Sequence, residues 1–279
     1  MKIIEDIIEM QRYVTQLRWE GKIIGFVPTM GALHKGHLSL MEHAKNESDH
    51  VVVSIFVNPA QFGPKEDYKE YPRDMEGDTE KIAYVGVDTL FTPSVSAIYP
   101  EGYRTYIEVK DLSDVMCGRA RPGHLRGVAT VVLKLFNIVK PHKAFFGQKD
   151  FQQTVIIKKM VEDLNSDVDV VVLPTVREED GLAMSSRNQY LGPEERKSAT
   201  VLYRSLEEAR LLFNKGERSA ELLRYTIIKI FKSEPSVLLE YVAIVNPKTL
   251  EEVKEAEEGT VIALAARIGK TRLIDNIVL

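Results

Sequence analysis

The sequence is poor in cysteine and has no long hydrophobic run. Its one cysteine, Cys117, excludes an intrachain disulfide, and the cysteine pairs of a zinc finger are missing. Its longest apolar stretches, such as residues 51–57, are far shorter than the ~20 residues that span a bilayer. Residues 1–9 carry acidic side chains where a signal peptide has its apolar core. We therefore expect a cytoplasmic protein with no membrane partner.

Neither sign of charge is in large excess. The chain has 37 basic and 41 acidic residues, which gives a net charge of −4 at pH 7. Stable binding of DNA or RNA depends on neutralising many phosphates, so this balance argues against a nucleic-acid partner. A noncatalytic RNA-handling module would also need a basic face and stacking aromatic residues in residues 176–279. That region has no excess of basic over acidic residues and has few aromatic residues.

Short apolar segments alternate with helical patterns as far as residue 173. The 279 residues, 44% of them hydrophobic, suffice for a sizeable core. Strands are predicted at residues 23–27, 51–57, 89–92, 144–146 and 168–173. Helices are predicted at residues 34–46, 75–84, 125–139 and 151–164. Such alternation predicts an α/β fold with a Rossmann-like, doubly wound parallel sheet.

The pattern changes after Pro174. Helices predicted at residues 193–215 and 219–231 are followed by strands predicted at residues 240–245 and 261–267. We therefore expect two domains, a Rossmann-like ligand-binding domain over residues 1–175 and a smaller C-terminal α+β domain over residues 176–279. Gly181 and the charged residues before it indicate a hinge near residues 175–180.

Two histidines open the helix that follows the first predicted strand. Glycines in residues 28–37 permit a tight turn, and the helix begins with free N–H groups and a positive dipole. His34 and His37 are three residues apart, so both imidazoles lie on the same side of the first turn. They can donate hydrogen bonds to phosphate oxygens, which favours a nucleotide site. The alternatives are two surface histidines or half of a metal site.

Polar residues also follow the second and fourth predicted strands. Gln61 follows the second strand, and Lys149 and Asp150 follow the fourth. Lys149 can reach a phosphate, whereas Asp150 either binds a ribose hydroxyl or only caps the next helix. The amides of Gln61 and Gln153 suit a small substrate that carries hydroxyl and carboxylate groups. Ligands of such sheets bind beyond the carboxyl ends of the strands, where these loops lie.

Two further loops carry basic side chains. Residues 184–188, Met-Ser-Ser-Arg-Asn, form either a mobile clamp for a polyphosphate or an ordinary polar loop. Residues 118–127 are rich in arginine and glycine. They form either a lid that brings Arg121 or Arg126 to an anionic substrate or a solvated loop.

Five segments together resemble one family of ligases. They are PTMGALHKGH at 28–37, FVNPAQF at 56–62, YPRD at 71–74, FGQKDFQQ at 146–153 and MSSRN at 184–188. In this order they are similar to the pantothenate synthetases, the pantoate–β-alanine ligase family, which belongs to the nucleotidyltransferase superfamily with the HIGH signature. The resemblance departs from the family at Gln148, where a glutamate is frequent, and this leaves a carboxylate role at that position in doubt.

This resemblance implies a two-step reaction. Members of the family use ATP and Mg²⁺ to convert pantoate into pantoyl adenylate with release of pyrophosphate. The amine of β-alanine then attacks the adenylate to give pantothenate and AMP, without a covalent enzyme intermediate. The resemblance also implies a homodimer. With the hinge expected near residues 175–180, we further expect the C-terminal domain to close over ATP bound by the first domain. The nearest alternative is a nucleotidyltransferase that transfers AMP or CMP to a phosphorylated acceptor and stops there.

The resemblance also implies roles for individual residues. Catalytic roles fall to His37, His34 and Lys149, and pantoate binding falls to Gln61 and Gln153. Residues implied to bind ATP are Met30, Gly31, Ala32, Leu33, His34, Lys35, Gly36, His37, Gly147, Gln148, Lys149, Asp150, Val176, Met184, Ser185, Ser186 and Arg187. No protein ligand is assigned to the magnesium ion, which we expect on the phosphate oxygens, with Asp78 as a weak candidate contact.

Overall fold

The computed structural model describes residues 1–64 and 66–279, which fold into two compact units. The first unit comprises Met1–Asp114, Gly118–Gly147 and Ile156–Leu173. The second unit comprises Val115–Cys117, Gln148–Val155 and Pro174–Leu279. Two short segments that precede residue 174 in the chain, at 115–117 and 148–155, thus belong to the second unit.

The first unit is built on a six-stranded parallel sheet. Along the chain its elements are β1 (Lys2–Ile4), α1 (Ile7–Trp19), β2 (Ile24–Thr29), α2 (Lys35–Glu47), β3 (His50–Ile55), α3 (Met75–Val85), β4 (Thr89–Phe91), α4 (Val95–Ile98), α5 (Met116–Ala120), α6 (His124–Val139), β5 (Lys143–Gly147), α7 (Phe151–Asp163) and β6 (Asp169–Leu173). Helices α5 and α7 continue across the boundary between the units. The strand order is β1-β4-β3-β2-β5-β6, and every pairing is parallel. The predicted α/β fold class is confirmed.

The central strands are mainly apolar because both faces of the sheet are covered. Phe26 of β2 and Val52 of β3 lie in a core with the apolar face of α6, whereas Val27 and Val53 lie in a second core with Met41 of α2. All five of these side chains are buried. Strands covered on both faces lose the alternation of polar and apolar residues, which explains the continuous apolar runs.

The register of β2 and β3 places two of the predicted site loops side by side. Thr29, the last residue of β2, pairs with Ile55, the last residue of β3. The turn that carries His34 therefore leaves the sheet next to a short 3₁₀ turn at Pro59–Gln61. Adjacent parallel strands deliver their following loops to one edge of the sheet, as expected for this class of fold.

The second unit contains a three-stranded antiparallel sheet. Its elements after residue 174 are a 3₁₀ turn at Ser186–Tyr190, α8 (Pro193–Ala199), α9 (Val201–Asn214), α10 (Ala220–Phe231), β7 (Val237–Val245), β8 (Val261–Ile268) and β9 (Thr271–Val278), with strand order β7-β8-β9. The prediction of one helix over 193–215 was wrong, since α8 ends at Ala199 and α9 begins at Val201. Strand β9 was not predicted.

The described part of the chain offers no membrane span and no clustered metal ligands. No helix within residues 1–64 and 66–279 has the length and apolar character needed to cross a bilayer. Among the same residues, no three histidine, cysteine, aspartate or glutamate side chains are grouped so that they can hold a metal ion.

Candidate active site

The turn between β2 and α2 is held in place by the buried carboxylate of Asp78. Its Oδ2 accepts a hydrogen bond from Ala32 N–H at 2.7 Å, and its Oδ1 accepts one from Leu33 N–H at 2.8 Å. Asp78 lies on α3 and is 1% exposed. Gly31 and Ala32 both have positive φ angles, of 82° and 50°, so the turn needs such external support. Asp78 thus fixes the backbone just before His34.

His34 and His37 hold each other at the start of α2. His34 is the N-cap residue, and its Nδ1 accepts a hydrogen bond from Gly36 N–H at 3.2 Å. The Nδ1 atom of His37 accepts one from His34 N–H at 3.3 Å. The two ring centroids are 4.1 Å apart. Both imidazoles therefore replace the side-chain oxygens that normally cap a helix.

This capping determines the tautomer of both rings. A neutral imidazole whose Nδ1 accepts a hydrogen bond carries its hydrogen on Nε2. In the neutral form, His34 and His37 therefore each carry a hydrogen on Nε2. Donors held in advance by a rigid helix end stabilise negative charge without reorganisation.

Gln61 lies on the neighbouring 3₁₀ turn and is almost fully buried. Its Oε1 accepts a hydrogen bond from Asn58 Nδ2 at 2.9 Å, and its Nε2 contacts Met30 Sδ at 3.3 Å. Asn58 is oriented in turn by the hydroxyl of Tyr99, which donates to its Oδ1 at 2.8 Å. The carboxamide of Gln61 has two hydrogens and two lone pairs, and these contacts use one of each. Met30 and Gln61, both predicted site residues, are therefore in contact.

The side chain of Arg121 is paired with another side chain of the first unit, in contrast to the lid that the sequence offered as one alternative. Its guanidinium forms two hydrogen bonds with the carboxylate of Glu66, at 2.7 and 2.6 Å. Burial raises the pKa of Glu66, but the hydrogen bonds and charge of Arg121 outweigh burial and hold that pKa at about 2. Arg126 lies over the ring of Tyr106 instead. Arg121 is thus engaged inside the first unit.

In the second unit, the turn that carries Lys149 is held by the C-terminal strand. Asn276 on β9 donates two hydrogen bonds of 3.0 Å, to the carbonyl oxygens of Gln148 and Lys149. Gln148 Nε2 donates to Asn276 Oδ1 at 3.2 Å. A glutamate at position 148 has no hydrogen to donate there, so glutamine suits this partner. Lys149 Nζ lies 3.9 Å from a carboxylate oxygen of Asp150.

Residues 176–188 form a connected loop in the second unit. Met184 N–H donates to the carbonyl of Val176 at 3.0 Å, which joins two of the predicted ATP-binding residues. Ser185 Oγ accepts from Arg187 N–H at 3.3 Å, and Asn188 Nδ2 donates to Glu178 Oε1 at 2.7 Å. The residues 184–188 are therefore ordered by their own turn and by the segment before it.

The two glutamines that follow Phe151 have different surroundings. Gln152 is buried, donates to Val115 O at 2.9 Å and accepts from Cys117 N–H at 3.0 Å. Gln153 is half-buried on the same helix. Gln153, which the resemblance assigns to pantoate, is therefore the less buried of the two.

The predicted site residues are distributed over both units. Residues 30–37, Gln61 and Gly147 belong to the first unit, whereas residues 148–150, Gln153 and residues 176–187 belong to the second. Sequence reasoning did not identify Asn58 or Asn276. Asn58 caps the 3₁₀ turn that carries Gln61, and its place shortly after β3 was the available signal. Asn276 lies within a strand and gave none.

Asp78 does not fit the role of a direct magnesium ligand. Both of its carboxylate oxygens already accept short hydrogen bonds from backbone N–H groups, and its side chain is 2% exposed. A magnesium ion requires nearly ideal octahedral geometry and keeps several water molecules, for which a buried and occupied carboxylate is unsuitable.

The fold and these residues together define a class. A parallel sheet in which the loop after β2 opens a helix capped by two imidazoles is suited to binding the phosphates of a nucleotide. Lysine and arginine on separate loops suit the charge of a polyphosphate. The class is a nucleotide-binding α/β protein.

Comparison with known proteins gives the family. The Pantoate-beta-alanine ligase family model matches residues 2–278. The pantothenate synthetase of Thermodesulfovibrio yellowstonii is 57% identical over 270 residues, 96% of each chain, and that of Thermotoga petrophila is 54% identical over the whole of both chains. The chain belongs to the pantoate–β-alanine ligase family.

Solved structures agree with this assignment. The crystal structure of pantothenate synthetase from Thermus thermophilus has a TM-score of 0.95 and 46% identity, with 99% of each chain covered. The pantoate-beta-alanine ligase of Francisella tularensis has a TM-score of 0.82 and 38% identity, with 100% of this chain and 97% of that chain covered. That protein was crystallised with β,γ-ATP and β-alanine. The present chain is an enzyme that ligates pantoate and β-alanine with consumption of ATP.

Proposed function

We propose that the described residues carry out the ligation in two chemical steps. A carboxylate oxygen of pantoate attacks the α-phosphorus of ATP, the bond to the bridging oxygen breaks, and pyrophosphate leaves. The amine of β-alanine then attacks the carbonyl carbon of pantoyl adenylate. The bond to the AMP oxygen breaks, a proton leaves the amine, and pantothenate and AMP are released. Catalysis consists of positioning and of charge stabilisation.

The paired histidines are the observation that carries this proposal. Pantoate and ATP are both anionic, so the attack brings negative charges together and builds up more on the phosphates. His34 and His37 present Nε2–H donors at the positive end of α2. We assign both to the phosphates of ATP, with His37 as the donor that stabilises the transition state. Residues 30–36 supply the surrounding backbone.

The remaining ATP contacts are assigned to the second unit and its boundary. Lys149 and Arg187 neutralise phosphate charge, and Ser185 and Ser186 supply hydroxyl donors. These assignments are supported by the order of the two loops. Asn276 holds the turn that carries Lys149, and the hydroxyl of Ser185 caps the turn over residues 184–188. The backbones of residues 147–150, 176 and 184 complete this set.

Pantoate is assigned to Gln61 and Gln153. The carboxamide of Gln61 is oriented by Asn58 and Met30, and an oriented amide can both donate to a carboxylate and accept from a hydroxyl. A phosphorylated acceptor would require more cationic side chains than these neutral amides provide. This difference separates the proposed substrate from that of a simple nucleotidyltransferase.

Magnesium is assigned to the substrate rather than to the protein. The ion enters with ATP and takes its ligands from phosphate oxygens and water. A homodimer stays a prediction that rests on the family resemblance. A cytoplasmic location stays one that rests on the lone cysteine and the acidic residues near the N-terminus. Closure of residues 176–279 over ATP stays one that rests on the predicted hinge.

The experiment that tests the reaction is product analysis with substrates omitted one at a time. Pyrophosphate and AMP are measured by anion-exchange chromatography after incubation with ATP and Mg²⁺. We expect a stoichiometric burst of pyrophosphate with pantoate alone and continued AMP formation only when β-alanine is added. Absence of the burst with pantoate, together with pyrophosphate release with a phosphorylated acceptor, would contradict the substrate assignment.

A further inference from the structure

The backbone around Gln61 depends on contacts from outside its own turn. Within the 3₁₀ turn the hydrogen bond from Gln61 N–H to Asn58 O is 3.5 Å long, which is weak. The N-terminal part of α6 lies directly against this turn, because a Cβ atom on Gly127 would come within 2.2 Å of Ala60 O. Helix α6 therefore supplies the rigid surface on which Gln61 rests.

His124, the first residue of α6, bonds to this turn. Its Nδ1 lies 2.8 Å from the backbone carbonyl oxygen of Gln61. A carbonyl oxygen only accepts, so Nδ1 carries a hydrogen. Its Nε2 lies 2.9 Å from Nη1 of Arg121, which only donates. Both contacts require the same neutral tautomer, with the hydrogen on Nδ1.

Arg121 is fixed in its turn by Glu66. The two hydrogen bonds between the guanidinium and the carboxylate are a paired, charge-assisted contact, and Arg121 is 12% exposed at its side chain. Nη2 of Arg121 also lies 3.3 Å from Gln61 O. Glu66, Arg121 and His124 thus form a chain of hydrogen bonds that ends on the backbone of Gln61.

We propose that His124 is a positioning residue that fixes Gln61 for pantoate, and that Arg121 and Glu66 keep its imidazole in the required tautomer. The inference rests on the proposed role of Gln61 as a pantoate ligand. In this proposal Arg121, a basic residue of the segment 118–127, positions His124 and does not contact an anionic substrate. A shift of the Gln61 backbone would move its carboxamide away from Asn58 and Met30, and hence from pantoate.

Two substitutions of His124 separate its two hydrogen bonds. In His124→Asn the side-chain amide nitrogen can occupy the place of Nδ1 and still donate to Gln61 O. In His124→Gln the side-chain oxygen can occupy the place of Nε2 and still accept from Arg121. The short hydrogen bond from position 124 to Gln61 O is lost, and the longer contact of Arg121 with that oxygen stays. His124→Ala removes both hydrogen bonds of His124. If His124 only held Arg121 in place, KM for pantoate would stay closer to the wild-type value in the glutamine variant. The proposed role predicts that it stays closer to the wild-type value in the asparagine variant.

The measured quantities are the KM values for pantoate, ATP and β-alanine in the full chain. We expect KM for pantoate to rise about tenfold in His124→Gln and His124→Ala, as for the loss of one hydrogen bond, and to change less than about threefold in His124→Asn. KM for ATP should stay within about twofold in all three. An equal rise in the asparagine and glutamine variants, or a parallel rise in all KM values, would overturn the proposal.

A second variant keeps the test independent of folding at position 124. Glu66→Gln alters a partly exposed side chain and weakens the hold on Arg121, so KM for pantoate should rise about threefold with an unchanged KM for ATP. An unchanged KM for pantoate in this variant would also overturn the proposal. If the wild-type chain releases no pyrophosphate with pantoate, the proposed function fails instead, so the two failures are distinguishable.

Discussion

Replacement of Asp78 by asparagine should both destabilise the chain and slow adenylate formation. The carboxylate accepts from Ala32 and Leu33 N–H at 2.7 and 2.8 Å and is 1% exposed. Asparagine keeps one acceptor oxygen but turns an NH₂ group toward the other N–H. One charge-assisted hydrogen bond is lost and one buried N–H is left unsatisfied, which together cost about 3 kcal/mol.

The loss should be visible in thermal unfolding and in kinetics. A cost of about 3 kcal/mol corresponds to a melting temperature lowered by roughly 5 °C in a chain of this size. Because Ala32 and Leu33 directly precede His34, the histidine turn should also loosen and kcat should fall. Circular dichroism melting and the rate of pyrophosphate release measure the two effects.

Asp74→Asn is the matched control on the same helix. Asp74 is the exposed N-cap of α3, where its Oδ1 accepts from Gly77 N–H at 3.0 Å, and asparagine caps a helix equally well. We expect the stability of this variant to change by less than about 0.5 kcal/mol. If Asp78→Asn is as stable as Asp74→Asn, the anchoring role is refuted. Wild-type stability with a weakened apparent affinity for Mg²⁺ would instead make Asp78 a metal contact.

Two further predictions concern the supports of the site. Asn276→Ala removes both hydrogen bonds to the carbonyl oxygens of Gln148 and Lys149, so kcat/KM for ATP should fall about tenfold. Steady-state kinetics that match wild type would show that Asn276 does not support the lysine turn. The pKa of Glu66 is lowered from 4.5 to about 2 by its pairing with Arg121, so the pair adds stability above pH 4.5 that is lost as the pH falls toward 2. Acid titration should therefore reduce the stability difference between wild type and Glu66→Gln, and a difference independent of pH would contradict this.

The parts of the fold with strong apolar patterns were predictable. Strands β2 and β3 are continuous apolar runs because both faces of the parallel sheet are buried. Strand β9 was missed because Asp275 and Asn276 interrupt its pattern. Both side chains are nevertheless buried, since Asp275 pairs with Arg177 through two hydrogen bonds and Asn276 binds the lysine turn. The residues that pair with Asp275 and Asn276 are far away along the chain, so the sequence around β9 does not indicate that these polar side chains are buried.

In the candidate site, too, residues of short local motifs could be predicted, whereas residues that support them from distant parts of the chain could not. His34, His37 and Gln61 belong to short motifs that directly follow predicted strands, and such motifs can be read from sequence. Their supports are far away along the chain, since Asp78 lies 45 residues from Leu33 and His124 lies 63 residues from Gln61. Which side chains support a motif is decided by tertiary packing, so the structure was needed to find them.

The central claim is that Nε2–H of His37 stabilises phosphate charge during adenylate formation. His37→Asn tests it most directly, because the asparagine oxygen can still accept from His34 N–H and keep the helix cap, while the Nε2 donor is removed. In rapid-quench measurements of pyrophosphate release from ATP and pantoate, we expect a rate about 10² to 10³ lower than wild type. The melting temperature should be unchanged, and His37→Gln, which restores a donor near Nε2, should recover part of the rate. A wild-type rate of pyrophosphate release in His37→Asn would contradict the account.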